Sequence, residues 1–246
     1  MRIVVTGAAG NIGSAAMAEL ADDFDILAVD KVPAPGIVQI DLADFDAVLP
    51  LFKEVETVVH LGAEINDQAP WESILRNNVI GTRNVYEAAR LQGVRRVVFA
   101  SSHMATLGWE SVSPWSDVLA GATPPVGFRP LDETTPYRPT VDYAMSKAWG
   151  EIEGRMYSEQ FGLTVIALRI LWCTRDGVPP AGREALWLSR RDAARAIRCA
   201  ILAPSDSSFR AYYIVSNNRD RIWDLEAARR DLGFVPVDSA SPAVEG

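Results

Sequence analysis

Thr6-Gly7-Ala8-Ala9-Gly10-Asn11-Ile12-Gly13 follows a short apolar run, residues 3–5, and precedes a segment rich in small residues, 14–20. This order predicts a strand, a glycine-rich turn and a helix. Glycine at positions 7 and 10 permits the tight turn and lets backbone N–H groups approach a diphosphate, which the positive end of the helix dipole favours. Gly13 lets the helix pack closely against the strand. This octapeptide therefore predicts a dinucleotide-binding site.

An acidic residue, Asp30, closes the next apolar run, residues 26–29. In a dinucleotide-binding unit, a carboxylate at this position accepts a hydrogen bond from the ribose 2′-hydroxyl and repels a 2′-phosphate. The alternative interpretation is a solvated turn residue ahead of Pro33 and Pro35. Together with the octapeptide, Asp30 favours NAD over NADP as the ligand.

The composition limits the classes of protein to which the chain can belong. Its 246 residues are 48% hydrophobic, and 24 basic residues face 32 acidic ones, which gives a net charge of −8. This charge disfavours nucleic acid and anionic membrane as partners. No apolar run is long enough to span a bilayer, and glycines interrupt the amino-terminal apolar run that a signal peptide would need. We therefore expect a cytoplasmic protein.

The sequence offers no set of metal ligands and no disulfide framework. The two cysteines, Cys173 and Cys199, lack a zinc-binding spacing, and the two histidines, His60 and His103, lie far from them along the chain. We therefore expect no metal site and a reducing compartment.

Strand-like and helical patterns alternate along the chain, with long helices predicted at 71–92 and 143–161. The alternation predicts right-handed crossovers and a Rossmann-type, doubly wound parallel sheet of the α/β class. Residues 105–139 show no clear period, which is typical of a functional loop or lid. The tail from residue 236 is predicted to be loose.

No linker or repeat divides the chain, so we interpret 1–246 as a single domain. Residues 1–170 form the predicted dinucleotide-binding core, with 105–139 as an inserted loop. Residues 171–246 supply mostly elements on the substrate side, which makes a small carboxyl-terminal substrate-binding part.

Tyr143 and Lys147 lie four residues apart, which places a phenol and an ammonium on one face of the second long helix. The pKa of a free phenol is about 10; a cation a few ångströms away lowers it, and a bound nicotinamide adds a second positive charge. Such a phenol can exchange a proton with a substrate alcohol near neutral pH, as hydride chemistry on an alcohol requires. The pair therefore predicts an acid/base site.

Two further polar residues are candidates for the same site. Ser102 ends the fifth predicted strand, at the edge of the sheet where ligands of open α/β sheets bind, and its hydroxyl can contact a substrate oxygen. Ser101 is the alternative, and a plain turn after the strand is a third interpretation. Asn78 lies on an inward helical face, where its amide needs backbone or active-site water as a partner.

The motifs are spread over nearly the whole chain, at residues 6–13, 30, 41–42, 60–63, 78–82, 99–102, 143–147, 168–169 and 232–236. Together they resemble the extended short-chain dehydrogenase/reductase superfamily, in its NAD-dependent epimerase/dehydratase branch. The resemblance implies that Tyr143 is the acid/base, that Lys147 holds the ribose and lowers the pKa of Tyr143, and that Ser102 orients the substrate. Asn78 is the fourth expected catalytic residue.

The resemblance also implies an NAD site built from the glycine-rich turn, the strand ends and the two long helices. Its expected members are Gly7, Gly10, Asn11, Ile12, Gly13, Asp30, Asp41, Leu42, Leu61, Gly62, Ala63, Asn78, Tyr143, Lys147 and Ile170. Among them, Asp41 follows the third strand, where a side chain could meet the adenine edge. Gly62 and Ala63 are small and leave room for a ligand above the sheet.

Within this branch the chain looks closest to uronate dehydrogenases and to short NAD-dependent glucose-6-phosphate dehydrogenases, through residues 69–71, 87–90, 173–174 and 187–192. It departs from them where they hold the sugar. His103-Met104 stands where they carry Asn-His, and Trp172 stands where uronate dehydrogenases carry a serine. Arg183 is the nearest counterpart of their carboxylate-binding arginine. We expect Ser102, His103, Trp172 and Arg183 to bind substrate, with Trp172 shrinking or reshaping the pocket.

The leading hypothesis is an NAD-dependent oxidoreductase that oxidises a small sugar, sugar acid or related polyol. The alternative is an NAD-dependent sugar epimerase or dehydratase that retains its cofactor, although only about seventy residues follow the sixth strand to hold a nucleotide sugar. A third hypothesis, an NAD-binding module without chemistry, is disfavoured by the Ser102, Tyr143 and Lys147 set. The resemblance also implies a homodimer, formed through helices 71–92 and 141–161.

Overall fold

A single sheet of seven parallel strands forms the centre of the protein in a computed structural model that describes residues 1–206 and 208–240. The strand order is β3-β2-β1-β4-β5-β6-β7, so the predicted doubly wound sheet is confirmed. The strands are β1 (Arg2–Thr6), β2 (Asp25–Asp30), β3 (Val38–Gln39), β4 (Thr57–His60), β5 (Arg96–Ser102), β6 (Thr164–Ile170) and β7 (Phe209–Ile214). The order reverses between β1 and β4, and a crevice opens there at the carboxyl ends of the strands.

Helices cover both faces of the sheet. They are α1 (Asn11–Leu20), α2 (Phe45–Val48), α3 (Trp71–Ile74), α4 (Gly81–Leu91), α5 (Trp115–Leu119), α6 (Asp142–Phe161), α7 (Arg190–Leu202) and α8 (Glu226–Leu232). Short 3-10 turns occupy Leu49–Phe52, His103–Trp109 and Glu184–Leu186. No helix of the described residues is long and apolar enough to cross a membrane.

Alternate residues of each central strand enter two separate cores. In β1, Ile3 and Val5 pack under α1 and α7, while Val4 packs under α2, α4 and α6. Strands covered on both faces need nearly continuous apolar runs, because successive side chains point to opposite sides. This is why the apolar runs of the sequence predict the strands well.

The first long helix is continuous from residue 71 to residue 91, but its middle is π-helical. The π-helical stretch, Leu75–Ile80, joins α3 to α4 and carries Asn78. Such stretches are rare and concentrate at functional sites. The second long helix, α6, ends at Gly162, which adopts φ 71° as a left-handed cap.

Residues 105–139 are more ordered than their aperiodic sequence suggests. Their apolar side chains join the segment after β7 in a third core, where Leu131 and Trp223 form a bridge between backbones. The Trp109 and Trp115 indoles donate to the carbonyls of Pro136 and Arg129, at 2.9 Å each. Scattered aromatic anchors, rather than a repeating pattern, fold this segment.

The predicted loose tail is wrong for residues 236–240, and the rest of the tail lies outside the described residues. The buried carboxylate of Asp192 accepts hydrogen bonds from the amides of Val237 and Asp238, at 2.8 and 3.0 Å. Asp238 in turn accepts from Ser189 Oγ at 2.6 Å and pairs with Arg191. The buried carboxylate holds the tail through backbone groups, which every residue carries, so the tail's own composition does not reveal the attachment.

Candidate active site

The glycine-rich turn between β1 and α1 is shaped by two close backbone approaches. Gly7 has φ 69°, and a Cβ at this position would lie 2.7 Å from the amide nitrogen of Gly62. A Cβ at Gly13 would lie 2.1 Å from the carbonyl oxygen of Gly7. Neither position admits a side chain, so the turn brings the ends of β1 and β4 and the start of α1 together.

The amino end of α1 is suited to an anionic ligand. Gly10 supplies no side-chain cap, and no acidic residue lies in the first turn, so the positive end of the helix is not neutralised. Asn11 Nδ2 donates to the carbonyl of Cys173 at 2.9 Å. Asn11 Oδ1 is buried and has no hydrogen-bond partner among the described residues. Ile12 follows on the same turn. A dinucleotide fits this site. Its diphosphate can accept hydrogen bonds from the N–H groups, and its hydroxyls can donate to Asn11 Oδ1.

Asp30 connects the end of β2 to the glycine-rich turn. Its carboxylate accepts from the amide of Ala9 at 2.9 Å and from the amide of Val32 at 2.9 Å. The structure thus holds the carboxylate rigidly beside the turn, on the side where a ribose follows the diphosphate in a Rossmann-type site. The solvated-turn interpretation does not account for the bond to Ala9.

Asp41 and Leu42 lie beyond β3, beside the first long helix. Asp41 accepts from the amide of Ala43 and pairs with Arg76, and these contacts hold the pKa of Asp41 below its usual value against the effect of burial. Leu42 packs against Gly62 and Gly81, where added Cβ atoms would lie 2.8 and 3.2 Å from its side chain. Leu42 thereby forms a wall beside the end of β4.

A buried hydrogen-bond chain fixes the ends of β1 and β4. Thr6 Oγ1 accepts from the amides of Leu61 and Gly62 at 3.2 and 3.1 Å, so its own proton goes to His60 Nδ1 at 2.8 Å. We assign the proton of the neutral imidazole to Nε2, which donates to Thr82 Oγ1 at 3.0 Å. The motif at residues 60–63 gives no indication of this role in the sequence.

The imidazole of His60 remains neutral at physiological pH. Burial, and then the positive charge of Lys147, lower its pKa to about 3. His60 therefore serves as a fixed hydrogen-bonding group and not as a proton carrier.

Ser102, Tyr143 and Lys147 meet at the carboxyl edge of the sheet. The Ser102 side chain lies close enough to the Tyr143 hydroxyl to favour the ionised form of the phenol. Lys147 Nζ donates to the carbonyl of Ala100 at 2.7 Å and lies 5.7 Å from the centre of the Tyr143 ring. Lys147 is buried and has no carboxylate partner among the described residues. A phenol, a hydroxyl and an amine thus converge where the crevice opens.

The expected acidity of the phenol is not a property of the chain alone. Burial raises the pKa of Tyr143 to about 12, although the nearby Ser102 hydroxyl opposes the shift, and burial also lowers the pKa of Lys147 to about 7. In the protein alone, the neighbouring amine does not offset the effect of burial on the phenol. A further positive charge is needed beside the phenol, and the oxidised nicotinamide ring of NAD carries one.

Asn78 joins the loop after β4 to α6. Its amide accepts from the Glu64 N–H at 2.7 Å and donates to the Glu64 carbonyl at 2.9 Å and to Ser146 Oγ at 2.9 Å. Ser146 Oγ donates to the carbonyl of Tyr143 at 2.7 Å. These bonds satisfy the buried amide, as the sequence analysis required, and they fix the backbone beside Tyr143.

Ser101, the alternative to Ser102, points to the other side of β5. Its hydroxyl donates to the buried carboxylate of Glu151. Glu151 also accepts from Arg169 Nη2 at 2.9 Å and from the Tyr137 hydroxyl at 3.1 Å, and both members of the ion pair are almost completely buried. The sequence analysis missed this network; the signal that could have revealed it is an acidic residue on the inward face of α6.

The expected substrate residues lie around the mouth of the crevice. Trp172 is 44% exposed just beyond β6, and the Arg183 guanidinium lies over its ring at 5.8 Å. His103 Nδ1 is paired with Glu110 Oε1 at 2.7 Å, which occupies one side of the imidazole. Ile170, the last residue of β6, pairs with Ser102 in the sheet. Trp172 and Arg183 are thus brought together, whereas His103 is engaged within the protein.

The remaining expected cofactor residues, Leu61, Gly62 and Ala63, form the partly buried connection that leaves β4. They lie at the same edge of the sheet as the glycine-rich turn, since the Leu61 amide also donates to the carbonyl of Thr6 at 3.2 Å.

Comparison with known proteins gives one consistent result. Residues 3–171 match the model of the NAD dependent epimerase/dehydratase family. The chain is 35% identical to an L-arabinose 1-dehydrogenase (NAD(P)(+)) of Haloferax volcanii, over 99% of each chain. It is 32% identical to an NAD-dependent glucose-6-phosphate dehydrogenase of the same organism, covering 97% of this chain and 94% of the relative.

Among solved structures, a mutant of uronate dehydrogenase from Agrobacterium tumefaciens, complexed with NAD, superposes with a TM-score of 0.80. The two are 33% identical, and the match covers 97% of this chain and 85% of that one. UDP-galactose 4-epimerase shares the fold at a TM-score of 0.75 and 24% identity.

Proposed function

Because this chain belongs to the NAD-dependent epimerase/dehydratase family, we propose that it is a dehydrogenase that transfers hydride from a small sugar or sugar acid to NAD. The observation that carries the proposal is the meeting of Ser102, Tyr143 and Lys147 at the carboxyl edge of the sheet. The relatives that match this chain over nearly their whole length are named as dehydrogenases of a sugar or of a sugar phosphate. The epimerases are more distant in sequence.

The residues around the crevice suit the parts of NAD in order. The N–H groups at the start of α1 would hold the diphosphate, Asp30 would accept from a ribose hydroxyl, and the segment at Asp41 and Leu42 would border the adenine. Lys147, which has further donors besides the one used on Ala100, would hold the other ribose. When bound, NAD supplies the hydride acceptor and a positive charge beside the phenol.

Within this site, the phenolate form of Tyr143 would take the proton of the substrate hydroxyl, while the carbon that bears this hydroxyl would give up its hydride to the bound NAD. Ser102 lies beside the Tyr143 hydroxyl and is placed to bind the same substrate oxygen. Lys147 would keep positive charge close to the phenolate before it takes the proton, because a cation stabilises that anion in a buried site. Asn78 acts through the backbone of Tyr143 and positions it.

On the substrate side, the exposed ring of Trp172 and the guanidinium of Arg183 border the mouth of the crevice. A ring of this size offers an apolar face for the C–H groups of a sugar, and Arg183 offers donors for hydroxyl or anionic oxygens. We propose that these two residues, with Ser102 and His103, form the substrate contacts.

The direct test is to measure NADH formation with a panel of neutral aldoses, the matching uronic acids and sugar phosphates. We expect absorbance from NADH with at least one of these classes. A panel without turnover would contradict the dehydrogenase proposal. Interconversion of epimers without net NADH, by protein that purifies with bound cofactor, would favour the epimerase instead.

Cofactor choice is expected to depend on Asp30. Replacing Asp30 with alanine removes the carboxylate that repels a 2′-phosphate, so the ratio of kcat/KM for NAD to that for NADP should fall about tenfold or more, equivalent to about 1.4 kcal/mol. The matched control is Asp25→Ala at the other end of β2. The Asp25 carboxylate is exposed, and its ion pair with Arg2 is long, at 3.9 Å. An unchanged ratio in Asp30→Ala would remove this residue from cofactor selection.

We also propose a homodimer formed through α4 and α6, which pack side by side. The outer surface of this pair carries exposed apolar side chains, including Leu91, Ile152 and Phe161. Covering such side chains is favourable. Light scattering should give twice the mass of one chain, and a mass of one chain would contradict the proposal.

A further inference from the structure

Arg190 reaches from one helix to the first turn of another, beside the glycine-rich turn. It is the first residue of α7, and it is only partly exposed. Its Nε donates to the carbonyl of Asn11 at 3.3 Å, and its Nη2 donates to Ser14 Oγ at 2.8 Å. Both acceptors belong to the first turn of α1. The guanidinium therefore lies against the helix whose amino end faces the expected diphosphate.

The charge of Arg190 is not balanced by the protein. Two other arginines of α7 have carboxylate partners: Arg191 pairs with Asp238, and Arg198 pairs with Asp23 at 2.7 Å. In the described part of the chain, Arg190 donates only to a carbonyl and a hydroxyl. A partly buried cation without a counter-ion is costly, so this site favours an added anion.

The surrounding backbone adds to the positive potential. The amino ends of α1 and α7 both lie near this guanidinium, and each contributes partial positive charge. The acidic residue in the first turn of α7, Asp192, is fully buried. Its carboxylate already accepts from Ser216 Oγ at 2.7 Å and from the amides of Val237 and Asp238. It is committed to the tail, which leaves the potential around Arg190 positive.

A polar cluster joins Arg190 to the edge of β6. The amide of Asn11 bonds the carbonyl of Cys173, and Asn11 Oδ1 is the buried acceptor without a partner. Burial raises the pKa of the Cys173 thiol to about 11, while the Arg190 charge opposes this shift, as expected for a guanidinium nearby. The cluster therefore borders the glycine-rich turn on the side of β6.

We propose that Arg190 is a cofactor-binding residue that neutralises and bonds the diphosphate of the dinucleotide on the side of the turn that faces β6. A guanidinium suits this ligand, since its planar donors match phosphate oxygens. The proposal rests on the proposed function, because it needs a dinucleotide at this turn. A phosphorylated sugar presents the same chemistry, so the test separates the two sources.

The test measures dissociation constants by calorimetry for ADP-ribose, adenosine and glucose 6-phosphate, with wild type, Arg190→Gln and Arg198→Gln. Arg190→Gln is expected to raise the Kd for ADP-ribose about tenfold and to leave adenosine unchanged, because charged hydrogen bonds to the diphosphate are lost. The Kd of wild type for ADP-ribose should also rise more steeply with salt than that of the variant. Arg198→Gln, on the same helix, should match wild type throughout.

Three results would overturn this inference. An unchanged Kd for ADP-ribose in Arg190→Gln would do so while leaving the proposed function intact. An equal rise in the Kd values for adenosine and ADP-ribose would show that Arg190 only holds α7 against α1. A rise in the Kd for glucose 6-phosphate alone would assign Arg190 to the substrate site. Wild-type protein that binds neither NAD nor ADP-ribose would instead contradict the proposed function.

If Arg190→Gln does not fold, Arg190→Lys takes its place. Lysine keeps the charge but loses the planar fork, so we expect the Kd for ADP-ribose to rise about threefold, with adenosine unchanged. An unchanged Kd for ADP-ribose in this variant would also overturn the inference.

Discussion

Replacing Tyr143 with phenylalanine is expected to lower kcat by about a hundredfold to ten-thousandfold, the usual contribution of a positioned acid/base. The hydroxyl is the one group lost, and it is the group that lies beside Ser102 at the crevice. The affinity for NAD should remain nearly intact, because the phenol contributes little to holding the dinucleotide. Steady-state assays by NADH absorbance and calorimetry with NAD measure the two quantities separately.

Tyr212→Phe is the matched control for the loss of a buried hydroxyl. Tyr212 lies on the edge strand β7, and its hydroxyl bonds Asp231 at 3.1 Å. Its kcat should equal that of wild type. If Tyr143→Phe loses activity and NAD affinity by the same factor, Tyr143 is not the acid/base and the assignment fails.

The second large effect is expected on stability, from Glu151→Gln. Glutamine keeps the shape of the side chain but leaves Arg169 as a buried cation without a counter-charge, and the side-chain exposures are only 0% and 2%. Breaking a buried pair in this way costs about 3–5 kcal/mol. This is a large part of the usual 5–15 kcal/mol of folding free energy. The midpoint of urea unfolding measures the change.

Glu159→Gln is the control, since it lies on the same helix and also faces an arginine. Its pair with Arg155 is 3.9 Å long, with side chains 55% and 60% exposed. Exposed pairs contribute about 0–1 kcal/mol, so this variant should unfold close to wild type. If both variants lose the same small amount, the Glu151–Arg169 pair is not what holds this part of the protein together.

The nucleotide side of the site could be predicted from sequence because it depends on local spacing. Gly13 is required by a close approach within a single turn, Gly7 has a positive φ in the same turn, and Asp30 ends the very next strand. Such relations between near neighbours leave a pattern that can be read without knowing the fold.

The choice between Ser101 and Ser102 needed the structure. Strand β5 runs through both serines, so they point to opposite faces. Ser101 turns to Glu151, and Ser102 turns to Tyr143. A partner fifty residues away, on α6, decides between the two hydroxyls, and single-sequence patterns do not record such a contact.

The order of residues 105–139 and the attachment of the tail were predicted least well. Both depend on contacts between distant segments. The tail is held by Asp192, whose place in the sequence is that of an ordinary acidic residue in the first turn of a helix. Tertiary contacts override the local signal in both cases.

The third core has a practical consequence for redesign. Leu131 of the inserted segment forms a backbone bridge with Trp223, and residues 105–139 pack against the part beyond β7. If a chimaera designed for new specificity takes one of these segments alone from another dehydrogenase, the two sides of the third core will not match. Both must be transplanted together.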